Sequence, residues 1–347
     1  MTTNSILSRW VKKSFIKSIP LQASFELTHS CNQSCSHCYL EKCQTLKPLL
    51  LTDVKHILKQ LRSAGTLYLT LMGGEAMLHP DFFEIAKHAK TLGFHLSMIT
   101  NGQLINNCTA AKSLKKYFSN ITFSLYSLNP DIHDMMTGIK NSHQKTTAAI
   151  KHCQKESINI GINCLLTKSN IDSFFDLLSW CTENNFHLKY DPMVTCKVSK
   201  NISNITARPS KKQIDNFYKT IKLNWPNKLQ HPVQTKPNFP CCNIARMKCA
   251  IDPAGNLLGC LEIRKILGNL LTDSFKTIWN NSTTQKIKNI TLSDLELNNS
   301  NLSCYYEHCP GMSLNEFDNP LLIHPYLHMI AEIKEKYFLK PAIKEIQ

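Results

Sequence analysis

The chain has 347 residues, 42% hydrophobic and 19% charged, enough to bury one large core with a smaller unit beside it. No apolar run approaches the roughly 20 residues a bilayer span needs. The first twenty residues also lack an apolar stretch ending in a small-residue cleavage site, which excludes a secretory signal.

The formal net charge is +15, yet the lysines are dispersed in short doublets such as Lys12-Lys13, Lys115-Lys116 and Lys211-Lys212. No arginine-rich run or aromatic-interleaved basic stripe is present, so neither a nucleic-acid nor a membrane partner is expected. The expectation is a solvated basic surface, with an acidic leader peptide as the specific partner it would suit. Fifteen cysteines without a signal imply a reducing compartment, the cytoplasm.

In chain order, residues 1–23 read as an N-terminal arm: a short amphipathic helix with Ile6, Trp10, Phe15 and Ile16 on its buried side. Residues 24–195 then alternate strand-like and helix-like segments. Strands are predicted at 24–29, 67–72, 95–100, 121–126, 159–166 and 186–191. Between them lie helices starting at Thr52 as N-cap and stopping at Gly65, running from Pro80 to Gly93, and at about 109–118, 145–156 and 171–183. Six such repeats predict an α/β fold with a parallel sheet, either fully closed or an open, partial (β/α)6 TIM-like barrel; in barrels of this type chemistry sits at the C-terminal strand ends. Residues 196–240, rich in Asn, Ser, Lys and Pro, read as a linker with one helix at about 211–223. Residues 241–347 read as a small C-terminal domain with several cysteines, closed by a helical tail, which the resemblance given below would make an iron–sulfur domain.

Directly after the first strand stand Cys31, Cys35 and Cys38. A tight loop there can turn three thiolates toward one centre, and thiolates suit iron–sulfur clusters, zinc or copper. Three thiolates on a cuboidal cluster leave one iron open. On zinc they need a fourth donor, for which His37 is the near candidate, although His37 itself reads as a surface residue.

At the end of the second strand, Gly73 and Gly74 allow close backbone approach to a ligand, and the Glu75 carboxylate can hold an ammonium group. Thr100-Asn101-Gly102 is a loop-starting turn. Ser124 and Asn163 sit at the ends of the fourth and fifth strands.

In the last third, residues 251–256 read as a hairpin turn that brings Cys242 and Cys260 together, with Cys304 and Cys309 following. Four cysteines suffice for one four-iron cluster and equally for a zinc site. Cys241 and Cys249 are substitute ligands. Cysteines 43, 108, 153, 164, 181 and 196 read as core or surface residues, with Cys196 placed to face a cavity and donate a hydrogen atom.

The spacing of Cys31, Cys35 and Cys38, with Thr28, Asn32 and Tyr39 around it, resembles the cluster loop of the radical S-adenosylmethionine (SAM) superfamily. Met72-Gly73-Gly74-Glu75 and Leu78-His79-Pro80-Asp81 fall where that superfamily places its SAM-binding turn. Cys242, Gly255, Cys260, Cys304 and Cys309 resemble its SPASM and Twitch extensions in reduced form. Asn301, Ser313 and His328 stand where the full pattern has further cysteines, and Thr137 stands where an arginine often does, with Lys140 a substitute.

The resemblance implies a [4Fe-4S] cluster on Cys31, Cys35 and Cys38 whose open iron binds SAM. It also implies SAM contacts from Tyr39, Gly73, Gly74, Glu75, Ser124 and Asn163, and a second, auxiliary [4Fe-4S] cluster on Cys242, Cys260, Cys304 and Cys309. The implied activity is reductive SAM cleavage to a 5′-deoxyadenosyl radical that abstracts hydrogen from a substrate, with a flavodoxin or ferredoxin as electron donor. A peptide or protein is the expected substrate. Alternatives are a small-molecule substrate in cofactor or antibiotic biosynthesis and a non-catalytic zinc-binding protein. With about 20 residues before the first strand, leader binding is expected to need a separate protein or the C-terminal domain.

Overall fold

Along the first strand, Ala23, Phe25 and Leu27 enter the apolar core while Glu26 and Thr28 turn to the opposite face, the period of two that a half-buried strand requires. The same alternation recurs in the strands that follow. The protein is described by a computed structural model covering residues 6–41, 47–226, 238–295 and 308–338. Cys43, Asn301 and Cys304 lie outside the described residues.

The six predicted parallel strands are present: β1 (Gln22–Thr28), β2 (Tyr68–Gly73), β3 (His95–Thr100), β4 (Asn120–Ser124), β5 (Asn159–Leu165) and β6 (His187–Asp191). Three more follow: β7 (Lys248–Ile251), β8 (Asn256–Leu258) and β9 (Ile266–Asn269). Together they form one nine-stranded sheet in the order β6-β5-β4-β3-β2-β1-β7-β8-β9. The partial barrel stays open, because β1 pairs with β7 rather than with β6. β7 runs parallel to β1, and the predicted hairpin then supplies the antiparallel β7–β8 pair. The C-terminal segment thus continues the barrel's own sheet.

Helices cover the core face. Val54, Ile57, Leu58 and Leu61 of Leu51–Ser63, and Phe82, Ile85, Ala86 and Ala89 of Phe82–Thr91, bury an i, i+3, i+4 stripe against the sheet. Register then sets the opposite, inner row: Glu26 lies beside Met72, and Ser124 beside Asn163, which in turn neighbours Lys189.

Several boundaries differ from expectation. The first barrel helix starts at Leu51, and its N-cap is Leu50 rather than Thr52. Leu50 caps without a side chain, since the backbone N–H groups of Asp53 and Val54 both donate to its carbonyl at 3.0 Å. A helix not foreseen, Pro130–Thr137, follows β4, with Asn129 as N-cap and Gly138 as a left-handed C-cap.

The N-terminal helix, Ile6–Lys17, does not bury the expected side. Trp10 is 50% and Ile16 66% exposed, while Phe15 stacks on Phe239 with ring centroids 5.1 Å apart beneath the Arg246 guanidinium. Docking on the C-terminal segment, rather than the helix's own apolar stripe, sets its orientation. The linker helix, Lys211–Asn224, is packed as well: Ile214, Phe217 and Ile221 are buried, with Phe217 against Phe174 and Tyr190.

Candidate active-site cavity

The C-terminal ends of the parallel strands open into a cavity of about 720 Å³, within the range of small-molecule sites. Cys31, Cys35 and Cys38 line it, together with Gly73, Gly74, Ser124 and Asn163. Leu261, Glu262, Arg264 and Asn315 of the C-terminal segment close another part of its wall.

The cysteine loop is held from several sides. At its start, the N–H of Gly74 donates to Thr28 O at 2.8 Å and that of Glu75 to Ser30 O at 2.9 Å. This approach requires glycine: a Cβ on Gly73 would stand 2.2 Å from Thr28 O, and one on Gly74 2.4 Å from Ser30 O. At mid-loop, the N–H groups of Ser34 and Ser36 donate to Thr137 O and Met136 O at 2.8 and 3.0 Å. Gly138 belongs to the same contact, since a Cβ there would meet Ser34 O at 2.9 Å. Asn101 Nδ2 donates to Asn32 Oδ1 at 2.6 Å and lies 3.8 Å from Cys31 Sγ.

Burial pushes the Cys31 thiol up to about 11 and the Cys35 thiol up to about 12, and raises that of Cys38, each further raised by the charge of a neighbouring cysteine or carboxylate. Held as thiolates, the three need a positive centre.

Some predicted residues sit elsewhere than expected. Glu75 is buried outside the cavity lining. Its Oε2 accepts from the Thr100 hydroxyl at 2.8 Å and the Asn101 N–H at 2.9 Å, and its Oε1 from the Met77 N–H at 3.2 Å. These bonds fix the carboxylate against the turn and leave Oε1 with acceptor capacity, while the backbone of Gly73 and Gly74 beside it faces the cavity.

Tyr39 lines the cavity, and its hydroxyl donates to Glu26 Oε1 at 2.5 Å. His37 is no surface residue: it is 7% exposed, lines the cavity and packs edge-on against Tyr126. Burial pushes its imidazole down to about 4. Lys140 is exposed and outside the cavity lining, because the turn after Thr137 carries it outward.

Residues that sequence reasoning passed over also line the cavity. Tyr126 approaches Cys35 and Ser124, and Lys189 and Glu262 face the same space. The Tyr126 signal was present in the run Ser124-Leu-Tyr126. Glu262 carried none, since nothing local marks which side of a loop faces a cavity. Cys196 does line the cavity, as foreseen.

In the C-terminal segment, Cys242 lies close enough for its charge to act on Cys260 and Cys309, and Cys260 close enough to act on Cys309. Burial pushes the Cys260 thiol up to about 12 and raises that of Cys309 further. Cys241 adjoins Cys242. Cys249 is apart, buried on β7 with its Sγ 3.8 Å from Gln22 O, and does not join this group.

A sequence profile described as the Radical SAM superfamily matches residues 25–181, and one described as an iron-sulfur cluster-binding domain, SPASM, matches residues 241–310. The chain belongs to the radical SAM superfamily and carries a C-terminal SPASM-type segment.

Among curated relatives it is similar to the antilisterial bacteriocin subtilosin biosynthesis protein AlbA of Bacillus subtilis, 32% identical over 162 residues, 46% of this chain and 36% of that one. It is also similar to an AdoMet-dependent heme synthase of Methanosarcina barkeri, 29% identical over 155 residues, 44% of each. The chain thus matches less than half the length of these relatives. Among solved structures, that of Streptococcus suis SuiB bound to precursor peptide SuiA superposes with a TM-score of 0.68, covering 92% of this chain and 78% of that one at 17% identity, a likeness of fold.

The cofactors of this radical SAM chain, an iron–sulfur cluster and SAM, fit the cavity. Three thiols lining one cavity suit a polynuclear cluster, in which each thiolate binds its own iron. His37 Nδ1, buried without a hydrogen-bond partner among the described residues, is a group that a bound ligand would satisfy.

Proposed function

We propose that this chain is an enzyme that removes a hydrogen atom from a peptide or protein substrate and so modifies it after translation. The observation that carries this reading is the single cavity lined at once by three cluster-type thiols, a glycine cradle and the C-terminal segment. Bound together, the cluster and SAM supply a 5′-deoxyadenosyl radical.

The chain's own residues do the rest. Cys31, Cys35 and Cys38 hold the cluster on one wall. The backbone of Gly73 and Gly74 receives the amino-acid end of SAM, with Ser124 and Asn163, neighbours in register, along its remainder. Tyr39 and Glu75 would flank SAM beside the loop and the glycine turn. Glu262 and Lys189, a carboxyl and an amine, would orient a polar substrate, and the surrounding wall excludes water from the reacting carbon.

Cys242, Cys260 and Cys309, with Cys304, would hold an auxiliary cluster. The corresponding division is an arm at 1–23, a radical SAM core at 24–195, a connecting helix at 196–240 and the auxiliary-cluster segment at 241–347. A flavodoxin or ferredoxin would supply electrons in a reducing compartment, and a separate protein or the C-terminal segment would bind a leader. Among the described residues no helix is long and apolar enough to cross a membrane.

The peptide reading is supported by the similarity to a bacteriocin biosynthesis protein and to a fold solved with a precursor peptide. The similarity to a heme synthase favours a small-molecule substrate as the second reading. Anaerobic reconstitution with iron and sulfide, followed by reduction in the presence of SAM, tests the first step: 5′-deoxyadenosine is expected, and its absence would sink the proposal. Incubation with short peptides encoded beside this gene then separates peptide from metabolite, a mass change in a peptide being the expected result.

A further inference from the structure

The charged cluster behind the cysteine loop has no part in the function so far. Glu26, on the inner face of β1, is fully buried. Arg264, 238 residues later, reaches it with both arms of its guanidinium, Nη1 to Oε2 at 2.8 Å and Nη2 to Oε1 at 2.9 Å. The Tyr39 hydroxyl donates to the same Oε1 at 2.5 Å, and the guanidinium lies 4.6 Å over the Tyr39 ring. His29 approaches from the strand end, its Nε2 3.5 Å from Oε2. Tyr39 immediately follows Cys38.

We propose that Arg264 is a positioning residue for the three-cysteine loop, so that the C-terminal segment completes the first cluster site as well as carrying its own cysteines. This rests on the cluster assignment to Cys31, Cys35 and Cys38.

Three observations carry it. First, the loop has separate supports along its length, and those at its end are distinctive. The glycine turn and Asn101 hold its start and the Pro130–Thr137 helix its middle. At its end, Asn204 Nδ2 donates to Cys38 O at 3.2 Å and the Val198 N–H to Tyr39 O at 2.8 Å, but these fix backbone only. The Tyr39 side chain is fixed by Glu26 and Arg264.

Second, a buried ion pair is a poor source of net stability, because desolvation offsets the attraction and apolar replacements are often as stable. What a bidentate, ring-stacked arginine adds is geometry, since its planar fork tolerates little displacement.

Third, Arg264 lies four residues after Cys260 and two after Glu262. Its own backbone is therefore tied to the auxiliary cysteines on one side of the cavity while its side chain reaches the loop on the other. Nearby, Asn315 Nδ2 donates to Glu262 O at 2.6 Å, and Gly311 packs so closely that a Cβ would stand 2.7 Å from the Glu262 carbonyl carbon. The segment is thereby anchored to the Pro310–Phe317 helix, which gives Arg264 a fixed base.

The test uses the full chain, anaerobically reconstituted, in four forms: wild type, Arg264→Lys, Arg264→Met, and the double variant Glu26→Gln/Arg264→Met. Each is followed by thermal melting, by low-temperature electron paramagnetic resonance of the reduced cluster with and without SAM, and by SAM binding. Arg264→Met alone leaves a buried carboxylate unpaired and should melt lower. The double variant removes that charge and should regain most of the lost melting temperature.

If Arg264 positions the loop, the double variant, despite its recovered stability, and Arg264→Lys both show an altered SAM-dependent spectrum and bind SAM at least fivefold more weakly. If the double variant shows the wild-type spectrum and affinity, Arg264 only neutralises Glu26 and the proposal is wrong. Absence of any cluster signal in the wild type would instead overturn the cluster assignment, a separate failure.

Discussion

The Thr100 hydroxyl donates to Glu75 Oε2 at 2.8 Å, and the neighbouring Asn101 N–H donates to the same oxygen at 2.9 Å. One buried carboxylate thus joins the end of β3 to the glycine turn after β2. Asn101 carries the connection onward to Asn32 in the cysteine loop. Glu75→Ala would strand two buried donors at about 1–3 kcal/mol each, and should lower the urea midpoint and weaken SAM binding together. Glu75→Gln, which retains an acceptor, should lose less of both. Equal losses in the two variants would mean that the carboxylate's charge, rather than its acceptor role, is what matters.

Gly74→Ala would force a Cβ to within 2.4 Å of Ser30 O and 2.5 Å of His29 O, both backbone atoms with no side-chain freedom to yield. Overpacking of this kind costs about 1–3 kcal/mol. The cradle, rather than the whole fold, should give way, so titration calorimetry with SAM should show affinity falling at least tenfold while far-ultraviolet dichroism stays that of the wild type. Wild-type affinity would show that the close approach is dispensable.

His133 gives the fold an acid limit. It is fully buried, accepts from the Tyr126 N–H at 3.2 Å through Nδ1, and is pushed down to about 4 by burial, with His143 and His37 nearby also disfavouring its charge and Asp134 favouring it. The unfolded chain binds this proton near the ordinary value of 6.5 and the folded chain only near 4. The stabilisation from keeping it neutral is therefore complete above about pH 6.5 and is lost as pH falls toward 4, with a ceiling of roughly 3 kcal/mol. Urea unfolding at pH 7 and pH 5 should show the wild type weakening on acidification more than His133→Gln does. Identical slopes in the two proteins would contradict this.

For the auxiliary site, Ala replacements of Cys242, Cys260 or Cys309 should lower iron content from about eight to about four per reconstituted chain. Cys249→Ala, apart from that group and buried against β1, should leave the iron content unchanged. Loss of iron in the Cys249 variant would place it among the ligands.

Much of the molecule was legible locally. The three-cysteine spacing, the Gly73-Gly74 turn, six β-α repeats and the hairpin around Gly255 are short-range features, in which a residue's role follows from its immediate neighbours. Glu75 shows the limit: its position in the turn was readable, but its hydrogen bonds from Thr100 and Asn101 were not, because those donors lie 25 and 26 residues away. His37 failed for a related reason, since its burial against Tyr126 depends on how loop and strand end pack.

The linear order of residues determined the element succession, the cluster-type thiols and the family. Only the folded chain decided that β7 would pair with β1, that Glu262 and Lys189 would face one cavity, and that Arg264 would close on Glu26. The physical reason is that strand pairing and desolvation are sums over neighbours in space. A charge buried on the first strand is tolerable only because a partner arrives from the far end of the sequence.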